Sequence, residues 1–282
     1  MLMNVLTAEG TANFVTVQGL KLNYHEAGEG PPLILLHGGG PGASAWSNYG
    51  QNFPELSEHF RVVAIDMPHF GKSDKPPDRY IDVHWYAQVL ADAMRSIGMP
   101  KAHIIGNSMG GAIAIELALA APEMIDRLVL MGAAASVAMF TPSPSEGAKH
   151  LMGYYQGEGP TRAKLEAFIR CMIFDQSRIT SELVDARYAA STVPELMVER
   201  QMGPAAAALH NLWRRVDKVS HKTLLIYGRD DRVVPWDTAL LLLRLMPNAD
   251  LHVFSHCGHW AQWERAAEFN GIATNFLTGP ES

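Results

Sequence analysis

The stretch HIIGNSMGGA, residues 103–112, carries an apolar run into a patch of glycines around one serine, Ser108. A G-x-S-x-G pattern between a strand and a helix can form a tight turn that lifts the serine hydroxyl clear of a sheet. Glycine and serine also punctuate ordinary turns, so these five residues decide nothing alone. A serine hydroxyl is a poor nucleophile at neutral pH; it needs a base, and the base needs a group to orient it. Two later stretches can supply both. YGRDDRVVP (227–235) offers adjacent carboxylates, Asp230 and Asp231, and SHCGHWAQWE (255–264) offers His256 and His259. Side chains one residue apart diverge, so only one of the two carboxylates should face the histidine. His259, after Gly258, is the expected base, with His256 as its rival. His37, ending the run LILLH (33–37), reads as a hydrogen-bonding loop residue.

Acyl transfer also needs donors for a developing oxyanion. In HGGGPGASAW (37–46) the glycines Gly38, Gly39 and Gly40 let backbone N–H groups approach a ligand closely. A loop of this type gives one donor and the residue after the nucleophile gives the other, which points to Gly39 and Met109. These glycines match neither the phosphate-binding G-x-x-x-x-G-K-[ST] pattern nor G-x-G-x-x-G.

These residues must be positioned by regular elements, and the sequence suggests which. Residues 11–26 read as a hairpin around Gln18-Gly19. Short apolar runs at 33–37, 61–66, 102–107, 127–132, 222–228 and 250–255 have the length of buried strands. Helical spacing occurs at 84–97, 109–121, 236–245 and 262–276. Such alternation implies a mostly parallel sheet covered by helices on both faces. Ser108, the acid and the base then all fall at the C-terminal ends of parallel strands, where open sheets of this class hold their sites. Between 133 and 216 the rhythm breaks into helical patterns without a convincing strand. The sheet needs sequence from both sides of that block. The expected organisation is therefore a core of residues 1–132 and 217–282 with a helical lid at 133–216, rather than two independent domains.

Composition bounds the function. The 282 residues are 48% hydrophobic and 18% charged, with a net charge of -6 and no basic block, which argues against a nucleic-acid partner. Cys171 and Cys257 provide neither a disulfide framework nor a metal spacing, and no H-E-x-x-H occurs, so no metal and no cofactor are expected. The N-terminus lacks the pattern of a secretory signal, and no apolar run is long enough for a membrane span. The expectation is a cytoplasmic protein with a small-molecule substrate and no membrane partner. A homo-oligomer, dimer or higher, is compatible with this reading.

Taken together, HGGGPGASAWSNY, GNSMGGA, FDQSRIT, GRDDRVVP and CGHWAQWE resemble, over nearly the whole chain and in order, the meta-cleavage product hydrolases. These are carbon–carbon bond hydrolases of the α/β-hydrolase superfamily. The resemblance implies an α/β-hydrolase fold with an inserted helical lid and a triad of Ser108, Asp231 and His259. Asp231 meets the D-x-x-V-P spacing of hydrolases with this loop, whereas Asp230 does not. It further implies that Gly38, Asn48, Asn107, Arg187 and Trp260 bind a 2-hydroxy-6-oxohexa-2,4-dienoate. Arg187 would pair with its carboxylate, and the asparagines would donate to its 2-oxygen. The implied reaction ketonises the dienol, attacks the C6 carbonyl, and releases 2-hydroxypenta-2,4-dienoate and a carboxylic acid. Met172 and Val233 stand where relatives acting on phenyl-bearing substrates often carry Phe, so the C6 pocket is reshaped and should favour aryl over methyl. His69, in DMPHFGKSD, stands where Gly is common. Two rivals remain at this level. A carboxylesterase would share the triad but need no Asn48, Asn107 and Arg187 set, and a non-catalytic receptor of the same fold would need no intact triad.

Overall fold

The computed structural model of the chain describes residues 6–77, 82–197 and 211–280. Eight strands form a single sheet: β1 Ala12–Val17, β2 Leu20–Ala27, β3 Pro32–Leu36, β4 Arg61–Ile65, β5 Ala102–Asn107, β6 Ile125–Met131, β7 Lys222–Gly228 and β8 Ala249–Phe254. Their order across the sheet is β1-β2-β4-β3-β5-β6-β7-β8. Only the pairings of β2, with β1 and with β4, are antiparallel. The β1–β2 hairpin closes through Gln18 (φ 51°) and Gly19 (φ 78°). Positive φ at both turn residues gives the twist that matches paired strands, as expected for Gln-Gly at this place.

Among the described residues the helices of eight residues or more are α1 Val83–Ser96, α2 Met109–Ala120, α3 Glu146–Gly153, α4 Arg162–Met172, α5 Ser181–Ser191, α6 Thr238–Leu245 and α7 Ala266–Thr278. Successive strand residues point to opposite faces, and the core divides accordingly. Ile34, Val63, Ile104 and Leu128 pack with α1, α2 and α6 residues such as Tyr86, Ile113 and Leu242. Leu33, Val62, Ile105 and Val129 pack on the other face with Tyr49, Phe53 and α7 residues such as Phe269. Burial on both faces explains why these strands read as continuous apolar runs.

Between β6 and β7 the described residues form helices and turns without a strand, and 198–210 lie outside them. The helices α3, α4 and α5 each begin at a hydroxyl cap: Ser145, Thr161 and Thr180 accept the N–H of Ala148, Lys164 and Leu183. Two expected helices differ in detail. The expected helix at 262–276 is divided into Ala261–Glu264 and α7, with Arg265 (φ -126°, ψ 43°) at the break. The helix expected from Trp236 starts at Thr238, and Asp237 at its N-cap gives no side-chain cap, since its carboxylate accepts the N–H groups of Met139, Phe140 and Thr141. Among the described residues no helix is long and apolar enough to cross a membrane.

Candidate active site

Ser108 sits between β5 and α2 with φ 52° and ψ -112°, a conformation that costs a non-glycine residue energy and persists only where its surroundings enforce it. Its N–H donates to the Met131 carbonyl at 2.8 Å, and its carbonyl accepts the Ala134 N–H at 3.1 Å, so the turn is pinned to the end of β6. Glycine is required on both sides. A Cβ at Gly106 would lie 2.5 Å from the Gly110 carbonyl oxygen, and one at Gly110 would strike the Leu36 carbonyl. The glycines of G-x-S-x-G thus let strand, turn and helix pass in contact.

The other two elements arrive from β7 and β8. Asp231 Oδ2 lies 2.7 Å from His259 Nδ1, and both side chains are almost wholly buried. Asp231 Oδ1 accepts the N–H groups of Val233 at 2.7 Å and Val234 at 2.9 Å, which fixes the carboxylate. An ionised carboxylate only accepts hydrogen bonds, so Nδ1 carries the hydrogen and Nε2 is left as an acceptor. The His259 ring packs against Gly132, where a Cβ would come within 3.0 Å of Nδ1 and Cε1. Ser108 is tied to Met131 and Ala134, so serine and histidine flank the same β6 end.

Gly39 lies over Met109: a Cβ on it would be 3.3 Å from Met109 Cβ. The Met109 N–H is the first of α2, and the first four amides of a helix lack intrahelical partners. Gly38 N–H donates to Asn48 Oδ1 at 3.3 Å, and Gly39 N–H has no hydrogen-bond acceptor among the described residues. The arrangement offers two unspent donors beside one hydroxyl.

Arg187, on α5, is 3% exposed. Its Nε and Nη2 donate to the Pro41 carbonyl at 3.1 and 2.7 Å, while Nη1 has no partner. Its guanidinium lies 4.9 Å from the Trp260 ring centroid, and among the described residues no carboxylate pairs with it. Burial lowers its pKa to about 10. A buried cation without an anion is costly, and a carboxylate ligand would offset that cost.

The α/β hydrolase fold family model matches residues 31–266. A 2-hydroxy-6-oxo-6-phenylhexa-2,4-dienoate hydrolase of Comamonas testosteroni is 39% identical over 98% of this chain and 99% of its own. A 2-hydroxy-6-oxononadienedioate/2-hydroxy-6-oxononatrienedioate hydrolase of the same species is 40% identical over the same shares, 98% and 99%. Among solved structures, a meta-cleavage product hydrolase from Pseudomonas fluorescens IP01 superposes with a TM-score of 0.85 at 35% identity, covering 94% of this chain and 97% of that one. The chain belongs to the meta-cleavage product hydrolases. It is a carbon–carbon bond hydrolase.

Other residues of the hydrolase fall differently from the sequence expectation. The asparagines were expected to donate to substrate. Asn48 instead spends its amide on Ser44 and Ser47 and its oxygen on Gly38, bracing the glycine loop. Asn107 donates to the Met131 carbonyl at 3.2 Å and leaves Oδ1 buried without a partner, so its open atom accepts rather than donates. Met172, Val233 and Trp260 share one buried apolar cluster with Phe168 and Ile169. The neighbours of the expected acid and base point elsewhere: Asp230 faces Arg229, and His256 is exposed against Phe174. His37 joins the Gly38 carbonyl to the Met67 N–H, the hydrogen-bonding role expected of it. His69 adopts φ 78°, which explains the usual glycine there, and its ring is held by Tyr86 and Pro76.

Sequence spacing also missed groups. Glu146, His150 and Cys171 bring ligand-type atoms within 4.8 Å of one another, although Arg232 already pairs with Glu146 at 3.0 Å. His150 lies four residues after Glu146 on α3, but nothing in the sequence joins either to Cys171. Glu264 was likewise invisible as more than a helix residue.

Proposed function

We propose that the hydrolase cleaves 2-hydroxy-6-oxo-6-arylhexa-2,4-dienoates to 2-hydroxypenta-2,4-dienoate and an aromatic acid. The observation that carries this reading is Arg187, a buried cation whose Nη1 is open and which no carboxylate of the described chain neutralises. A planar guanidinium is suited to a substrate carboxylate, and an esterase has no use for one there. Asn107 Oδ1 then accepts from the 2-hydroxyl. Once the dienol has become the keto tautomer, Ser108 Oγ attacks C6 while His259 Nε2 takes its proton and Asp231 stabilises the imidazolium. The Gly39 and Met109 N–H groups hold the oxyanion. Collapse breaks the C5–C6 bond, and the electron pair leaves on C5 as a dienolate that takes the proton held by His259, returning the imidazole to its neutral form. Water, deprotonated by His259, releases the acid from Ser108. The segment 133–216 acts as the lid that carries Arg187 and Met172 to the core.

The C6 group is aryl rather than a second carboxylate chain. Among the described residues the other buried arginine is Arg127, which holds the Phe276 and Gly279 carbonyls at the opposite end of β6. Met172 and Val233 therefore face the substituent with apolar surface. Both cysteines are free and buried, which fits the reducing cytoplasm. Loss of dienolate absorbance, followed with 6-phenyl, 6-methyl and 6-oxononadienedioate substrates, tests the reading. The phenyl compound should turn over fastest; turnover of simple aryl esters without any dienoate would return the chain to the carboxylesterases.

A further inference from the structure

Glu264 ends the short helix that follows His259, and its carboxylate serves two segments at once. Oε1 accepts the Gly258 N–H at 2.8 Å, while Oε2 accepts the N–H groups of Phe174 at 2.8 Å and Asp175 at 3.4 Å. Gly258 precedes His259, and Phe174 and Asp175 lie just beyond α4 of the lid. Alongside, the His259 N–H donates to the Met172 carbonyl at 2.7 Å. A Cβ at Gly258 would strike that same carbonyl and lie 3.0 Å from Glu264 Oε1, so the two segments touch with no space between them. Arg178 closes the junction: it donates to the Glu264 and Trp263 carbonyls at 3.0 Å and lies 4.0 Å from the Trp263 ring centroid. Burial pushes the Glu264 carboxyl up, against the pull of its three N–H donors and Arg178.

We propose that Glu264 is a positioning residue that fastens the His259 loop to the lid, so that base and lid are placed as one unit. This rests on the reading of His259 as the base. A carboxylate suits the task because both of its oxygens only accept. Glutamine would satisfy one segment and turn an NH₂ group toward the donors of the other.

The test is steady-state kinetics of Glu264→Ala and Glu264→Gln, with the downfield proton resonance of His259 Nδ1–H as a second readout. Leu22→Ala, in β2 far from the site, controls for lost stability. Small misplacements of a catalytic group are costly, so Glu264→Ala should lose about 30-fold in kcat with KM nearly unchanged, and its resonance should broaden or vanish. Glu264→Gln should fall between it and the wild type, and decides the matter if the alanine variant does not fold. A kcat within twofold of wild type for both variants, or an equal kcat loss in Leu22→Ala, overturns the inference. His259→Gln separates the two readings. Activity retained there sinks the base assignment itself, whereas activity lost there but kept in both Glu264 variants sinks only the positioning role.

Discussion

The two ends of the site are built by different physics. Around Ser108 and Arg187 nearly every group is held by directional bonds: Arg187 on the Pro41 carbonyl, Gly38 on Asn48, Asn107 on Met131 and His259 on Asp231. Around Met172 and Val233 the structure is a packed apolar cluster with Phe168, Ile169 and Trp260. A hydrogen-bonded constellation is matched to one donor and acceptor pattern, so few residue types fit each place. Packing asks for volume and tolerates hydrophobic exchanges at modest cost. Under the proposed function, the reaction would be held by the bonded end, where few exchanges fit, and specificity by the packed end, where exchanges are cheaper.

Variants can break or sharpen that contrast. The largest effect belongs to Ser108→Ala, which should lower kcat by about 10⁶-fold while leaving dienoate binding intact, because Arg187 and Asn107 remain. Near-wild-type turnover by the folded variant would end the nucleophile assignment. Next comes Asp231→Asn, expected to cost on the order of 10⁴-fold through the wrong His259 tautomer, against about twofold for Asp230→Asn. Measuring both in one loop controls for destabilisation, and the reverse order would show the acid to be misassigned.

Arg187→Gln should lower kcat/KM by about 100-fold, mostly through KM, in keeping with the 2–5 kcal/mol typical of losing one partner of a buried charge pair. Its Tm should hold or rise, since the ligand-free fold sheds a buried, unpaired cation. A lower Tm with unchanged KM would mean that Arg187 only braces Pro41. The smallest effect is expected at the apolar end. Val233→Phe should reduce kcat/KM by about 10-fold for the bulkiest aryl substrate and by about twofold for methyl, because overpacking penalises the ligand that fills the space. Equal losses would place Val233 outside the C6 pocket.

Much of the framework was legible before any coordinates. The strand runs at 102–107 and 222–228 match the observed strands residue for residue, since burial on both faces leaves a continuous apolar signature. The turn at Gln18-Gly19 is an equally local signal. The break at Arg265 was not legible, because helical periodicity runs through it. Nor was the start of α6, where Asp237 answers to residues 139–141, nearly a hundred positions away.

By itself the sequence determined the residue types and the order of the catalytic groups, and hence the family and its chemistry. Strand ends and the turns that follow them are local, and a nucleophile, an acid and a base must each occupy one. Tertiary structure decided which neighbour does the work. Asp231, which the D-x-x-V-P spacing already favoured, meets His259, but only packing made Asn48 brace a loop while Asn107 stays open, and only packing let Glu264 join Gly258 to residues 174–175, more than eighty positions away. Those outcomes depend on the direction of a side chain and on partners distant in sequence. Both are set only when the sheet and the inserted helices pack together.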